Sequence, residues 1–198
     1  MKRDIILAGV GGQGILTIAT IIGHAAVARG LYLKQAEVHG MSQRGGDVQS
    51  HLRISDAVIH SDLIPQGQVD LIISIEPMEA LRYIPFLAGD GWIITNKKPF
   101  VNVPNYPPFE KVWAEIEAFP RSVLLDADDM ARDVATARAA NIVILGAASD
   151  HVGLSADELE TSIASVFGRK GDAVVQANLR AFHAGRAFAR EQAAAVTP

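Results

Sequence analysis

The sequence predicts an α/β protein in three layers, with helices on both sides of a mostly parallel, mixed sheet. Short apolar runs at 5–10, 69–75 and 123–125 have the length and continuity of buried strands. Segments of helical period alternate with them. Glycines cluster where the first strand meets the first helix. The chain has 198 residues, 49% of them hydrophobic and 20% charged, which suits one domain spanning 1–198 with a substantial core.

The elements follow in order. After the strand at 5–10, a helix over 15–29 places Ile15, Ile18, Ile22, Ala25 and Ala26 on one face, and Gly30 ends it. A second strand at 31–38 completes a β-α-β start, which implies parallel strands. A polar, glycine-bearing loop fills 39–46. Residues 47–54 and 57–60 alternate about Ser55-Asp56, which predicts a β-hairpin insertion and makes the sheet mixed. Beyond the strand at 69–75, Glu76-Pro77 starts a helix running to about Leu87. A short strand is expected at 92–95, and a proline-rich surface connection at 102–109. Residues 141–148 are apolar all round, as in a fully buried helix. Ser155-Ala-Asp-Glu158 is a capping box, with Leu154 and Leu159 spaced as a hydrophobic staple and Ile163 and Val166 continuing the stripe. A last helix covers about 173–192.

Composition excludes several classes. The net charge is −4 and no Lys/Arg stripe forms, so no nucleic-acid partner is expected. Lys97-Lys98 and Arg169-Lys170 read as solvated loop charges. With no cysteine, the chain has no disulfide, no thiol nucleophile and no iron–sulfur cluster of its own. The N-terminus lacks a secretory pattern and no segment reaches membrane-spanning length, which predicts a cytoplasmic protein.

Gly9-Val-Gly11-Gly12-Gln13-Gly14 matches G-x-G-x-x-G between a strand and a helix, the context of a Rossmann-like phosphate site. Glycines permit the tight turn and close ligand approach. Unpaired amides at the helix start attract an anion. The alternative is a turn that only lets helix and strand pack closely. A dinucleotide site wants an acid about twenty residues on to hold a ribose. Lys34 and Gln35 stand there instead, and Glu37 comes late, so the motif does not by itself specify nicotinamide. The second loop carries Ser42, Gln43, Arg44, Gly45 and Gly46 after the second strand, and is expected to face the first. Arg44 is suited to a phosphate or carboxylate, with flanking amides as a nest, or else is simply solvated. Glu76, at a strand's carboxyl end, reads as a helix cap before a ligand contact. His24, His39, His51 and His60 lack metal-ligand spacing. Asp126, Asp128, Asp129 and Asp133 lack the remaining features of a calcium loop and read as an acidic helix start. No catalytic residue and no metal ligand is assigned.

These motifs together resemble a family. The first glycine loop, then Ala36-Glu37-x-x-Gly40-x-Ser42-Gln43-Arg44-Gly45-Gly46 and Val48-x-Ser50-His51-x-Arg53, are similar to the gamma-type subunits of 2-oxoacid:ferredoxin oxidoreductases. So are Glu76-Pro77, Asn141-x-x-x-Leu145-Gly146 and Asn178-x-x-Ala181-Phe182-x-x-Gly185. Within the family, the small subunit of indolepyruvate ferredoxin oxidoreductase is the most similar branch. The resemblance implies a fold like domain III of pyruvate:ferredoxin oxidoreductase. It implies a complex that decarboxylates a 2-oxoacid, aryl pyruvates such as indolepyruvate first, to an acyl-coenzyme A while reducing ferredoxin. Thiamine diphosphate and iron–sulfur clusters would sit on a partner subunit, and this chain would wall the active site and contact coenzyme A phosphates. Gly9, Gly11, Gly12 and Gly14 would supply amides and clearance, Gln13 a hydrogen bond, and Ser42, Gln43 and Arg44 the opposite wall. On the residues alone, a self-contained nicotinamide dehydrogenase and a non-catalytic nucleotide-binding module stay open.

Overall fold

The computed structural model describes residues 1–39, 46–101 and 103–196. Six strands form one sheet: β1 (Lys2–Val10), β2 (Tyr32–His39), β3 (Asp47–Ser55), β4 (Val69–Ser74), β5 (Leu87–Asn96) and β6 (Ser122–Leu125). Their order is β2-β3-β1-β4-β5-β6. The β1–β4, β4–β5 and β5–β6 pairs are parallel, whereas β3 runs antiparallel to both β1 and β2. Among the described residues there are also seven α-helices: α1 (Ile15–Ala28), α2 (Pro77–Arg82), α3 (Phe109–Glu117), α4 (Ala127–Val134), α5 (Ala140–Ala148), α6 (Ala156–Phe167) and α7 (Asp172–Val196).

Side-chain alternation divides the core between the two faces of the sheet. Ile5 and Leu7 of β1, Leu71 and Ile73 of β4 and Ile94 of β5 pack with α1, α4, α5, α6 and α7. Ile6, Ala8, Ile72, Ile93 and Leu124 turn the other way, onto α2 and α3 through Ala80, Val112 and Ile116. This is the expected three-layer α/β arrangement with a mixed, mostly parallel sheet. Every residue of α5 is buried, as its uniform apolarity requires.

Helix α2 ends at Arg82, and Leu87 begins β5 instead of ending the helix; three further details differ from expectation. The hairpin is not at Ser55-Asp56. It is β2–β3, joined across 40–46, and residues 57–60 form no strand. Arg53 Nη1 donates to the Ser61 and Leu63 carbonyls at 3.0 Å each, and His51 Nδ1 accepts the Ile64 N–H at 3.0 Å. These side-chain bonds hold the 57–64 segment over the sheet without a ladder. Second, β1 and β2 are parallel but not neighbours, because β3 lies between them. Third, α3 follows the proline-rich connection, with Val112 and Ile116 buried one turn apart.

The capping box at α6 is formed in both directions: Glu158 N–H donates to Ser155 Oγ at 3.2 Å, and Ser155 N–H to Glu158 Oε2 at 2.7 Å. Ser155→Ala is expected to cost about 1 kcal/mol in urea unfolding, with Ser155→Asp recovering most of it. An unshifted midpoint for the alanine variant would remove the cap from the account of α6.

Candidate functional site

The parallel strands all end at one rim. From β1 the chain leaves through α1 towards β2, whereas from β4 it leaves through α2, on the opposite face, towards β5. The sheet order therefore reverses between β1 and β4, which is where ligands bind in open α/β sheets. A cavity of about 930 Å³ opens there. Gly12, Gln13 and Gly14 line it after β1, Ile75 after β4, Asn96, Lys98 and Phe100 at and after β5, and Asp128 after β6. The starts of α5 and α7 close the far side with Arg138, Asn141, Lys170 and Asn178.

The first glycine loop supplies the floor. Gly14 is the N-cap of α1 at φ 86°, so no side chain caps the helix, and the Thr17 amide turns back to the Gly14 carbonyl at 3.1 Å. Asn141 Nδ2 donates to the Gly14 carbonyl at 3.1 Å, and a Cβ on Gly14 would come within 2.6 Å of that same nitrogen. Two loop groups are already engaged. Gly11 N–H donates to the Gly46 carbonyl at 2.9 Å, and Gln13 Oε1 accepts the Val10 N–H at 2.7 Å. The Gly11 amide is therefore bonded to Gly46 rather than facing a ligand. Val10 pairs with Asp47 across β1 and β3, which sets Gly11 beside Gly46. Ser42, Gln43, Arg44 and Gly45 lie outside the described residues.

Sequence reasoning passed over the cations. Lys98 and Lys170, read as solvated, both line the cavity together with Arg138. Asn96 and Lys98 hold Asp128 there at 2.8 and 3.2 Å, so three cations stand against one carboxylate. The signal for Lys98 was its place two residues past the end of β5, at the rim where the first glycine loop also lies.

Other candidates resolve into structure. Asp126 caps α4 by accepting the Asp129 N–H at 3.0 Å, and Asp129 pairs with Arg132. His24 sits between Ser162 and Ser165, at 3.1 and 3.2 Å. His51 is buried beside Arg53, and both burial and that charge push its pKa down, which suits a ring nitrogen accepting an N–H. The His60 carbonyl accepts from Lys34 Nζ at 3.2 Å. Glu76 caps α2 by accepting the Glu79 N–H at 2.8 Å. No described helix is long and apolar enough to cross a membrane.

Known proteins are similar to this chain in sequence and fold. The family model for pyruvate ferredoxin/flavodoxin oxidoreductase matches residues 4–188. The indolepyruvate oxidoreductase subunit IorB of Pyrococcus horikoshii is 36% identical, over 96% of this chain and 97% of that one. The gamma subunit of a keto/oxoacid ferredoxin oxidoreductase from Geobacter sulfurreducens superposes with a TM-score of 0.69 at 25% identity, covering 96% of this chain and 99% of that one. A 2-oxoglutarate:ferredoxin oxidoreductase from Magnetococcus marinus, solved with 2-oxoglutarate, coenzyme A and succinyl-CoA bound, shares the fold with a TM-score of 0.77 at 21% identity, over 96% of this chain and 31% of that one. On the family match and the identity to IorB, the chain belongs to the pyruvate ferredoxin/flavodoxin oxidoreductase family.

Proposed function

We propose that this chain is the small subunit of a heteromeric 2-oxoacid ferredoxin oxidoreductase acting on indolepyruvate or related aryl pyruvates. Its cavity would receive the phosphates of coenzyme A. The observation that carries the reading is the cavity at the sheet's switch point, with an uncapped helix start on its floor and Lys98, Arg138 and Lys170 on its walls. Arg138 presents a planar fork suited to a phosphate, and the two lysines add point charges. The identity to IorB favours indolepyruvate, and the coenzyme-bound relative favours an acyl acceptor.

Among the described residues nothing in the cavity pairs a nucleophile with a base. This chain's part is to bind, orient and exclude water, while thiamine diphosphate on a partner subunit supplies the carbanion chemistry. With no cysteine here, the iron–sulfur clusters are also the partner's. The second bend, 42–46 with Arg44, is proposed as the wall facing Gly12 and Gly14.

In the reconstituted enzyme, Lys98→Ala and Arg138→Ala are each expected to raise the KM for coenzyme A about tenfold or more, with the 2-oxoacid KM unchanged. Unchanged coenzyme KM values in correctly assembled enzyme would end the reading. Turnover by this chain alone, or tight nicotinamide binding seen as tryptophan quenching, would favour a self-contained dehydrogenase instead.

A further inference from the structure

We propose that Glu76 is a positioning residue: its carboxylate latches the segment after β5 so that Lys98 and Phe100 form the cavity wall. The inference rests on the coenzyme reading above. Glu76 is 2% exposed and does not itself line the cavity, although Ile75 beside it does.

An N-cap needs one side-chain oxygen, and a short side chain supplies it. Glu76 uses both of its oxygens. Oε2 accepts the Glu79 N–H at 2.8 Å, which is the cap. Oε1 accepts the Phe100 N–H at 3.3 Å and the Tyr106 hydroxyl at 2.5 Å, donors 24 and 30 residues further on. Burial pushes the Glu76 pKa up, and the Tyr106, Glu79 and Phe100 donors act against that shift. The Tyr106 hydroxyl in turn is held protonated, its pKa pushed upward by burial and by the carboxylate it serves. A buried carboxylate is costly unless its oxygens are satisfied, so this arrangement is more than the cap requires.

The other end of the same segment is pinned separately. Trp113 Nε1 donates to the Lys97 carbonyl at 2.9 Å, and Lys97 Nζ lies 4.3 Å from the centre of that ring. Lys98 and Pro99 therefore span two fixed points, Lys97 O and Phe100 N. Lys98, Pro99 and Phe100 all line the cavity. Releasing the Phe100 amide frees one end of the span, so that the Lys98 ammonium is placed by its 3.2 Å contact with Asp128 without a fixed backbone behind it, and it drifts from where a phosphate would meet it.

Two variants separate the latch from the cap. Glu76→Asp keeps a good N-cap but is one methylene too short to reach Phe100 and Tyr106. Tyr106→Phe removes only the hydroxyl. In the reconstituted complex, both are expected to raise the KM for coenzyme A roughly tenfold while leaving the 2-oxoacid KM and the Tm close to wild type. The Phe100 amide should exchange with solvent faster in both. On a Lys98→Ala background neither should add a further rise, because the latch acts through that lysine. A faster Phe100 amide with an unchanged coenzyme KM, in an enzyme where Lys98→Ala does raise it, overturns the inference alone. A Tm loss of several degrees with both KM values altered alike also overturns it, by making Glu76 merely structural. If Lys98→Ala itself leaves the coenzyme KM untouched, the coenzyme reading falls, and an unchanged Phe100 exchange rate would then dispose of the latch as well.

Discussion

Gly146→Ala and Gly185→Ala are each expected to lower the melting temperature by roughly 10 °C, a loss of about 3 kcal/mol or more. These glycines lie where α5 and α7 cross. A Cβ on Gly146 would overlap the carbonyl of Phe182, and one on Gly185 would overlap the carbonyl of Val143. Both obstacles are backbone atoms, so no rotamer change relieves them. The helices would have to separate. All of α5 is buried and Phe182 is fully enclosed, so separation also opens voids around Ile142, Val143 and Ile144. Alanine at either position raises intrinsic helix propensity, which makes the sign of the result informative. A variant melting within a degree of wild type would show that the crossing has room to spare.

Arg53→Ala is expected to cost roughly 3–5 kcal/mol, the usual range for breaking a buried ion pair from one side. Asp4 is wholly buried near the start of β1. Arg53 grips it with Nε to Oδ1 at 2.7 Å and Nη2 to Oδ2 at 3.0 Å, and Lys2 Nζ adds a contact at 2.8 Å. Without the guanidinium, the carboxylate keeps, among the described residues, the half-exposed lysine as its cation. The 57–64 segment loses its two carbonyl anchors at the same time. Arg53→Lys should recover little, because an ammonium cannot make the forked contact. Removing both charges, as Asp4→Asn with Arg53→Met, should recover more than half of the loss. Urea unfolding at constant m-value measures each step. A single Arg53→Ala variant within about 1 kcal/mol of wild type contradicts the account.

What the sequence revealed was mostly local. The apolar runs, the glycine turn into α1 and the Ser155–Glu158 cap each depend on neighbours within a few residues, and all formed as read. Ser55-Asp56 has turn chemistry, but strand pairing is decided over the whole sheet. There β1 and β2 both took β3, and Arg53 drew the following segment onto side-chain bonds. Helix α3 was hidden behind prolines, although Val112 and Ile116 carried its period. Gly146 and Gly185 were visible as a pattern, but their reason exists only once two helices cross. Of the candidate site, the first glycine bend was legible and lies at the cavity, whereas Lys98, Arg138 and Lys170 were not. Single cations on three separate connections acquire a common purpose only when the strand order brings those connections to one cavity.

The bond from Asn141 to the Gly14 carbonyl has a consequence for biogenesis. It joins residues 127 positions apart, and the helix that bears Asn141 is itself seated by the last one. During translation the glycine turn would emerge well ahead of Asn141, so the turn could be fastened only after α5 and α7 had left the ribosome. On the coenzyme reading proposed above, products stalled or clipped before α7 would lack the fastened turn, and so would not compete with finished subunits for the coenzyme.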